Sequence, residues 1–198
     1  MPIVHLQNIE KNGRIVIGNG GKEIFFLYFL HYNDTCKVNQ QFTGGERKVV
    51  KLNIQSAELA LREASESNPG AWADHSRFVA EACKNIASHC KDLSSEQAYI
   101  FGLLHDIGRY AGVSSERHLI DGYRYCMERG WEKAAQICIS HAFMIQDIDT
   151  SIGVFDVSDE DYLFMKEFVA NAIYDDYDRL VQLCDALAMP TGFCLLEK

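Results

Sequence analysis

The feature that most restricts the fold of this 198-residue chain is an apolar run that ends in two metal-ligand side chains. Residues 100–104 lead directly into His105 and Asp106, and Gly108 and Arg109 follow. Burying an imidazole beside a carboxylate costs free energy unless something compensates for it. A metal ion can do so, because it binds a neutral imidazole and an ionised carboxylate together. The alternative is an ordinary helix end, with Gly108 after the last turn and His105 near the negative end of the helix dipole.

Helical periodicity begins near residue 52 and continues almost to the end of the chain. Candidate caps support it: Ser94 or Ser95, Ser114 or Ser115, and Ser158 in a capping box. We expect seven helices: a first from about 54 to the Asn68-Pro69-Gly70 sequence, then about 71–90, about 95 to the His-Asp pair, 115–129, 131–141, 158–172 and 177–188. Residues 143–157 have no clear period and are expected to form a long loop.

Residues 1–50 have a different character and are interpreted as an extension of unknown role. Residues 14–17 and 24–30 are β-prone and flank the Gly-rich segment 18–22, which predicts a β-hairpin. Residues 40–46 are polar and Gly-rich, as in a linker. The predicted organisation is therefore an N-terminal extension over 1–50 and one helical domain over 51–198.

Charge and cysteine usage exclude some classes of protein. The net charge of −9 argues against a nucleic-acid scaffold, although a local basic pocket for one phosphate remains compatible with it. The seven cysteines form no CxxC pair, and we interpret them as reduced thiols of a cytoplasmic protein. The longest apolar run, 24–30, is too short to span a bilayer, and the first residues lack the pattern of a signal peptide.

Further ligand-type residues occur at expected helix ends or within apolar stretches, namely His75, His118, His141 and Asp185. Each also has a local interpretation. These are pairing of His75 with Asp74, a solvated face beside Arg117 and Asp121 for His118, a helix-terminal position for His141, and pairing of Asp185 with Arg179. The other three histidines, His5, His31 and His89, are assigned no role. Taken singly, each residue is explained by its local alternative.

Taken in order, these residues resemble the HD-domain superfamily of metal-dependent phosphohydrolases. Residues 103–108, Leu-Leu-His-Asp-Ile-Gly, match the HDIG form of the motif that names the superfamily. His75, followed by a serine, fits the upstream histidine, and Asp185 fits the final aspartate. His118 and His141 fit the two intermediate histidines of subgroups that hold two metals.

The resemblance covers about residues 52–198. Segments 103–109, 118–123 and 174–180 are similar to a small bacterial HD family. The implied fold is an all-α HD-domain helical bundle that carries a short β-prone N-terminal extension.

The resemblance also implies a metal site made of His75, His105, Asp106, His118, His141 and Asp185. Adjacent side chains on a helix diverge by about 100°, so His105 and Asp106 can face one site only from a frayed last turn. Asp106 can then bridge two ions, and the imidazole and carboxylate ligands suit iron, manganese, zinc, cobalt or nickel. Arg109 is either a phosphate-binding guanidinium beside the metals or a surface salt-bridge residue.

Two functions are compatible with the sequence. The first is a metal-dependent phosphohydrolase that uses metal-activated water on a nucleotide or another small phosphate ester, with Asp106 and Arg109 as catalytic residues. No serine or cysteine lies in a recognisable nucleophile motif, which favours activated water. The alternative is a non-catalytic metal or nucleotide sensor. The sequence specifies neither the substrate nor the oligomeric state.

Overall fold

A computed structural model describes residues 51–194, and these residues form an all-α bundle with one short β-hairpin. The expected hairpin and linker within residues 1–50 lie outside the described residues. The first three helices are α1 (Ile54–Ser67), α2 (Trp72–Ala87) and α3 (Ser95–Leu104). A 3-10 helix, Ile107–Ala111, follows α3 directly.

The second half of the bundle contains four further α-helices and a strand pair. The helices are α4 (Arg117–Met127), α5 (Glu132–Ser140), α6 (Asp159–Asn171) and α7 (Asp176–Leu187), and a second 3-10 helix spans Ile148–Thr150. Strands β1 (Ala188–Met189) and β2 (Gly192–Phe193) pair antiparallel after α7.

Local sequence accounts for several helix boundaries. The Asn53 and Asp175 side chains close capping boxes at the starts of α1 and α7. The Ser94 and Ser158 hydroxyls accept hydrogen bonds from Gln97 N and Asp161 N, as the sequence predicted for α3 and α6. These caps satisfy backbone N–H groups that have no partner within the helix.

The core lies where α2 packs against α3 and α7, and where α4 packs against α5. Its largest fully buried side chains come from every part of the bundle and include Leu61, Leu104, Ile120, Ile139 and Met165. Helix α3 approaches α2 very closely at Gly102, where an added Cβ would lie 2.8 Å from the Ala80 Cα. Close approach of these helices brings the end of α3 against the start of α2.

A second close approach sets the position of α4. A Cβ at Gly108 would lie 1.9 Å from the His118 carbonyl oxygen and 2.3 Å from Gly122 N. A Cβ at Gly122 would lie 3.0 Å from Cys138 Sγ on α5. Only glycine allows the backbones of the 3-10 helix and α4 to come this close, and this contact draws His118 toward Asp106.

The all-α prediction is confirmed, and some local expectations were wrong. Helix α2 ends at Ala87, before the expected Cys90. Ser115 does not cap helix α4: its hydroxyl accepts a hydrogen bond from Val154 N, and the first N–H of the helix, from Arg117, donates to Asp156 Oδ1 instead. The expected 143–157 loop contains the Ile148–Thr150 3-10 helix, and the residues around Pro190 form a hairpin turn.

Two findings bear on the environment of the chain. All six cysteines among residues 51–194 are free. Within the same range, each helix lacks either the length or the apolar character needed to cross a bilayer.

Candidate metal centre

The six candidate ligands lie at helix ends that meet inside the bundle. His75 belongs to the first turn of α2, and His118 to the first turn of α4. His105 and His141 follow the last residues of α3 and α5, and Asp185 lies in the last turn of α7. Asp106 comes next to His105, with φ −104° and ψ 14°, so its backbone has left the helical conformation.

That break explains how two neighbouring residues face one site. His105 keeps a helical backbone, with φ −55° and ψ −37°, while Asp106 starts the 3-10 helix. The change in direction brings both side chains to the same side, as expected for a frayed helix end. His105 is indeed the C-terminal cap of α3, so the local interpretation describes its backbone but leaves its imidazole unexplained.

The first group of candidate ligands centres on Asp185. Its Oδ1 lies 2.8 Å from His75 Nε2 and 3.6 Å from His105 Nε2. The donor atoms of these three residues all lie within 4.8 Å of one another. Metal–ligand bonds of about 2.0–2.2 Å would place two ligands of one ion at most roughly 4.4 Å apart, so the spacing of the two Asp185 contacts suits a shared ion.

The second group centres on Asp106. Its Oδ1 lies 3.2 Å from His118 Nε2 and 3.7 Å from His141 Nε2. Its Oδ2 lies 4.0 Å from His105 Nε2, which makes His105 the neighbour of both groups. All six predicted residues are therefore brought together, in two adjoining groups.

Backbone carbonyls orient three of the four imidazoles. His105 Nδ1 lies 2.7 Å from Gly102 O, His118 Nδ1 2.5 Å from Ser115 O, and His141 Nδ1 3.1 Å from Ile137 O. A carbonyl only accepts hydrogen bonds, so in the neutral ring Nδ1 carries the hydrogen and Nε2 keeps a free lone pair. This is the tautomer that a metal requires at Nε2, and the backbone bond fixes the ring direction.

The electrostatics of the site favour a positive charge between the carboxylates. Burial alone would raise the pKa of Asp106, but the His105, His118 and His141 imidazoles bring the pKa of this carboxyl well below its usual range. The pKa of Asp185 is likewise lowered against the effect of burial, through its interactions with the nearby His105 and His75 imidazoles. Both carboxylates are therefore ionised at neutral pH.

The pKa values of His105 and His141 shift in opposite directions. Burial would lower the pKa of His105, yet the Asp106 and Asp185 carboxylates raise it to about 9. Burial, together with repulsion from His105, lowers the pKa of His141 to about 4. The carboxylates thus stabilise one positive charge near His105, whether a proton or a cation carries it.

The donor set fits a divalent transition metal. His105 Nε2 and Asp106 Oδ1 are buried, and neither has a hydrogen-bond partner among the described residues. A buried polar atom with no partner is costly, and each of these atoms lies within 4 Å of another candidate ligand. Imidazole nitrogen and carboxylate oxygen are the ligands that iron, manganese, zinc, cobalt and nickel bind.

Arg109 lies against this site through its side chain. Its Nε donates to Asp106 Oδ2 at 2.6 Å, and its Nη2 lies 3.3 Å from His118 Nε2. The Arg109 backbone carbonyl accepts a 2.6 Å hydrogen bond from Asn68 Nδ2. With 30% of its side chain exposed, Arg109 has an ion pair to a candidate ligand and access to solvent as well.

The local alternatives for His75, His118 and Asp185 differ from what the structure shows, whereas His141 does have a helix-terminal position as the C-terminal cap of α5. His75 contacts Asp185, and His118 is 6% exposed, so it does not lie on a solvated face. The Arg179 guanidinium donates to Met144 O and to Gln182 Oε1, away from Asp185.

Sequence reasoning missed the polar residues that support the site from α7. Gln182 and Asp178 are almost fully buried, and both hydrogen-bond the last residue of α5, Ser140. Both lie on the same helix as Asp185, one or two turns earlier. Polar residues at helical spacing from a candidate ligand, in an otherwise apolar helix face, are the signal that points to them.

Comparison with known families supports part of the resemblance read from the sequence. Residues 48–140 match the family model of the HDOD domain, an HD-related domain. The match supports a relation to the HD-like superfamily and does not single out the HDIG form of the motif. It contains His75, His105, Asp106 and His118, whereas His141 and Asp185 lie beyond it. No curated protein and no solved structure matches the chain.

Proposed function

We propose that this protein is a metal-dependent phosphohydrolase that acts on a nucleotide or another small phosphate ester. The observation that carries the proposal is the complete set of six candidate ligands, from five helices or helix ends, with a guanidinium beside them. A set that lacked one ligand would support binding without catalysis. The HDOD match over residues 48–140 supports an HD-related domain, which is the coarser part of this proposal.

The ligand set divides the work between two positions. His75, His105 and Asp185 would hold one ion, and Asp106, His118 and His141 would hold a second. Asp106 and His105 are the residues where the two groups adjoin. A bound metal of this kind lowers the pKa of water and offsets charge on phosphoryl oxygens. The reaction class is hydrolysis of a P–O ester bond, which yields an alcohol and a phosphate.

Asp106 and Arg109 have distinct tasks in this proposal. Asp106 Oδ1 faces His118 and His141 while Oδ2 accepts from Arg109, so one carboxylate orients both the ion ligands and the guanidinium. Nε holds Arg109 on Asp106 and Nη2 lies 3.3 Å from His118 Nε2, which leaves Nη1 of this partly exposed side chain to bind a phosphoryl oxygen. Negative charge that develops on the phosphoryl oxygens would be stabilised there.

The proposed partner is a small phosphorylated molecule. The acidic chain, with a net charge of −9, is unsuited to binding a long nucleic-acid backbone. A single guanidinium at the site suffices for one phosphoryl group. The free cysteines support a cytoplasmic location, where thiols stay reduced.

The test begins with metal analysis of the purified protein. The Mn²⁺-loaded chain is then assayed against a panel of nucleotides, a generic phosphodiester and a phosphomonoester. We expect bound metal and turnover of at least one ester, both lost in Asp106→Ala. Asp149→Ala, which removes an exposed carboxylate in the second 3-10 helix, is the matched control and should keep both properties. A metal-loaded protein without activity on the whole panel would contradict the proposal.

The second candidate function is a non-catalytic metal or nucleotide sensor. The HDOD match favours it, because HDOD domains are often non-catalytic. A sensor would bind metal and a nucleotide with a defined affinity and leave the nucleotide unchanged. Calorimetric binding followed by analysis of the recovered nucleotide separates the two functions.

A further inference from the structure

The end of α5 that carries His141 is held by a glutamine from α7. Gln182 is 3% exposed, and its Nε2 donates to Ser140 O at 2.8 Å and to Phe143 O at 3.1 Å. These two carbonyls lie on either side of His141 in the chain. Carbonyls at a helix C-terminus lack partners within the helix, so Gln182 supplies a bond that α5 cannot make itself.

Other contacts fix the orientation of the Gln182 amide. Arg179 Nη1 donates to Gln182 Oε1 at 3.0 Å and to Met144 O at 2.7 Å. The amide oxygen is therefore engaged by a guanidinium, which leaves the NH₂ group to face the two carbonyls. Arg179 and Gln182 together contact the backbone at Ser140, Phe143 and Met144.

The side chain of Ser140 is anchored to the same helix. Its Oγ donates to Asp178 Oδ1 at 2.6 Å, and both residues are fully buried. The other oxygen of Asp178 accepts from Lys133 Nζ at 2.5 Å, so the buried carboxylate is paired as well as hydrogen-bonded. The last residue of α5 is thus held through its backbone by Gln182 and through its side chain by Asp178.

These residues share a helix face with a candidate ligand. Positions 178, 182 and 185 are separated by four and three residues, a spacing that aligns side chains along one side of a helix. Asp185 contacts His75 and His105 in the first group, while Gln182 holds the turn of His141 in the second. One face of α7 therefore contacts both groups of ligands.

We propose that Gln182 is a positioning residue for His141: its amide fixes the turn that directs the imidazole at Asp106, and so determines the affinity of the second ion. This inference rests on the proposed metal site. The Nδ1 bond to Ile137 sets the rotation of the His141 ring, but His141 itself follows the last residue of α5. Its place relative to Asp106 depends on the turn that Gln182 holds.

The experiment replaces the amide with a side chain of similar length. In Gln182→Met, Ser140 O keeps its bond from Phe143 N, but both carbonyls lose the amide. Equilibrium dialysis with Mn²⁺ should give two ions in the wild-type protein. The variant should keep the first ion and bind the second about 10–100-fold more weakly, as when other supporting residues of metal sites are lost. Gln182→Glu keeps the acceptor for Arg179, removes the NH₂ donor, and should weaken the second ion as well.

Gln146, in the loop that follows α5, offers a matched control. Its Nε2 also donates to two backbone carbonyls, Val169 O at 3.2 Å and Ala172 O at 2.5 Å, but these belong to the end of α6. Gln146→Met removes the same kind of contact and should leave both Mn²⁺ affinities at their wild-type values. Equal weakening of the second ion in Gln146→Met would overturn the assignment to Gln182.

A second readout does not need the metal. Long-range ¹H–¹⁵N NMR of the metal-free wild-type protein should show His141 as one tautomer with the hydrogen on Nδ1, and Gln182→Met should show a mixture. Unchanged Mn²⁺ binding together with an unchanged His141 spectrum in the Gln182 variants would overturn the inference. Wild-type protein that binds no Mn²⁺ would instead reject the proposed function, and the NMR comparison would still decide the role of Gln182.

Discussion

At the scale of single residues, Asp106 is the point where the parts of the site meet. One oxygen faces two histidines and the other accepts from Arg109, while the whole residue is 5% exposed. Its neighbour His105 has a buried Nε2 without a hydrogen-bond partner among the described residues. The arrangement separates residues that would bind the ions from one, Arg109, that would bind the substrate, and mutations can distinguish these roles.

Arg109→Ala should keep the bound metal and lower kcat/KM by about 10²–10³-fold, if its contact resembles one preorganised donor to a developing oxyanion. Arg109→Lys should recover part of the activity, because an ammonium cannot reproduce the bidentate geometry of a guanidinium. Steady-state kinetics and metal analysis on the same samples test both expectations. Arg117→Ala is the control. Arg117 directly precedes His118 in the chain, but its guanidinium pairs with Asp121 on α4. An Arg109→Ala enzyme of wild-type efficiency would leave this arginine with a purely structural role.

His118→Ala and His141→Ala should each remove about one metal per chain. Both imidazoles contact Asp106 Oδ1, and neither belongs to the group around Asp185. His75 and His105 would still hold the other ion with Asp185. The measurement is the metal-to-protein ratio after dialysis, with His89→Ala as the control because His89 is exposed after the end of α2. A single ion in the wild-type protein, unchanged in both variants, would contradict a two-metal site.

At the scale of the elements, glycines decide how close the helices come. Gly108 allows the 3-10 helix to lie against the backbone of α4, and Gly122 allows α4 to lie against α5. The Gly108 contact involves backbone atoms of α4, which cannot move aside as a side chain can, whereas Gly122 lies against the Cys138 side chain. The geometry that joins His118 to Asp106 therefore depends on residues with no functional group of their own.

Gly108→Ala should destabilise the fold by at least the roughly 1–3 kcal/mol that overpacking usually costs. The new Cβ would lie 1.9 Å from the His118 carbonyl oxygen, so α4 must shift away from the 3-10 helix. Chemical denaturation measures the free energy of unfolding. Gly70→Ala is the control, because its Cβ would approach only the Trp72 side chain, at 2.9 Å, and should cost less. Equal stability of Gly108→Ala and wild type would show that the backbones separate freely.

Much of this element structure could be predicted from sequence, because caps and apolar spacing are local. Ser94 and Ser158 are examples, since each hydroxyl accepts from a backbone N–H three residues later. Ser115 was a wrong cap candidate because distant contacts cannot be seen in local sequence. It is a residue type that often caps helices, but its hydrogen bonds are made with Val154 and Asp156 from a distant loop. The six candidate ligands were found through their order along the chain. Gln182 was not found from the sequence, because its role depends on the two backbone carbonyls to which its amide donates hydrogen bonds.

At the scale of the whole molecule, the candidate ligands connect most of the bundle. They come from α2, the end of α3, α4, the end of α5 and α7. An unfolded chain does not hold these residues together, so an ion that binds the native site stabilises all five parts at once.

Mn²⁺ at 100 times its dissociation constant should stabilise the fold by about 2.7 kcal/mol for one site, and should raise the Tm accordingly. EDTA should reverse the increase. Thermal unfolding followed by circular dichroism tests this in the wild-type protein, with Asp106→Ala as the variant that should show no response. The Asp149→Ala variant should respond as the wild type does. A Tm independent of Mn²⁺ in the wild-type protein would contradict a metal site that exists only in the folded protein.

The hydrogen bond between His75 and Asp185 joins residues 110 positions apart, and this separation has a consequence for the timing of synthesis. A ribosome adding about 5–20 residues per second needs roughly 5–20 seconds to pass from one residue to the other. During that interval His75, His105 and Asp106 exist in a growing chain that lacks the carboxylate of α7. The emerging chain can assemble only part of its site, so full metal loading has to wait until Asp185 has been synthesised. A ribosome-bound chain halted before residue 185 should therefore hold less metal than one released after it.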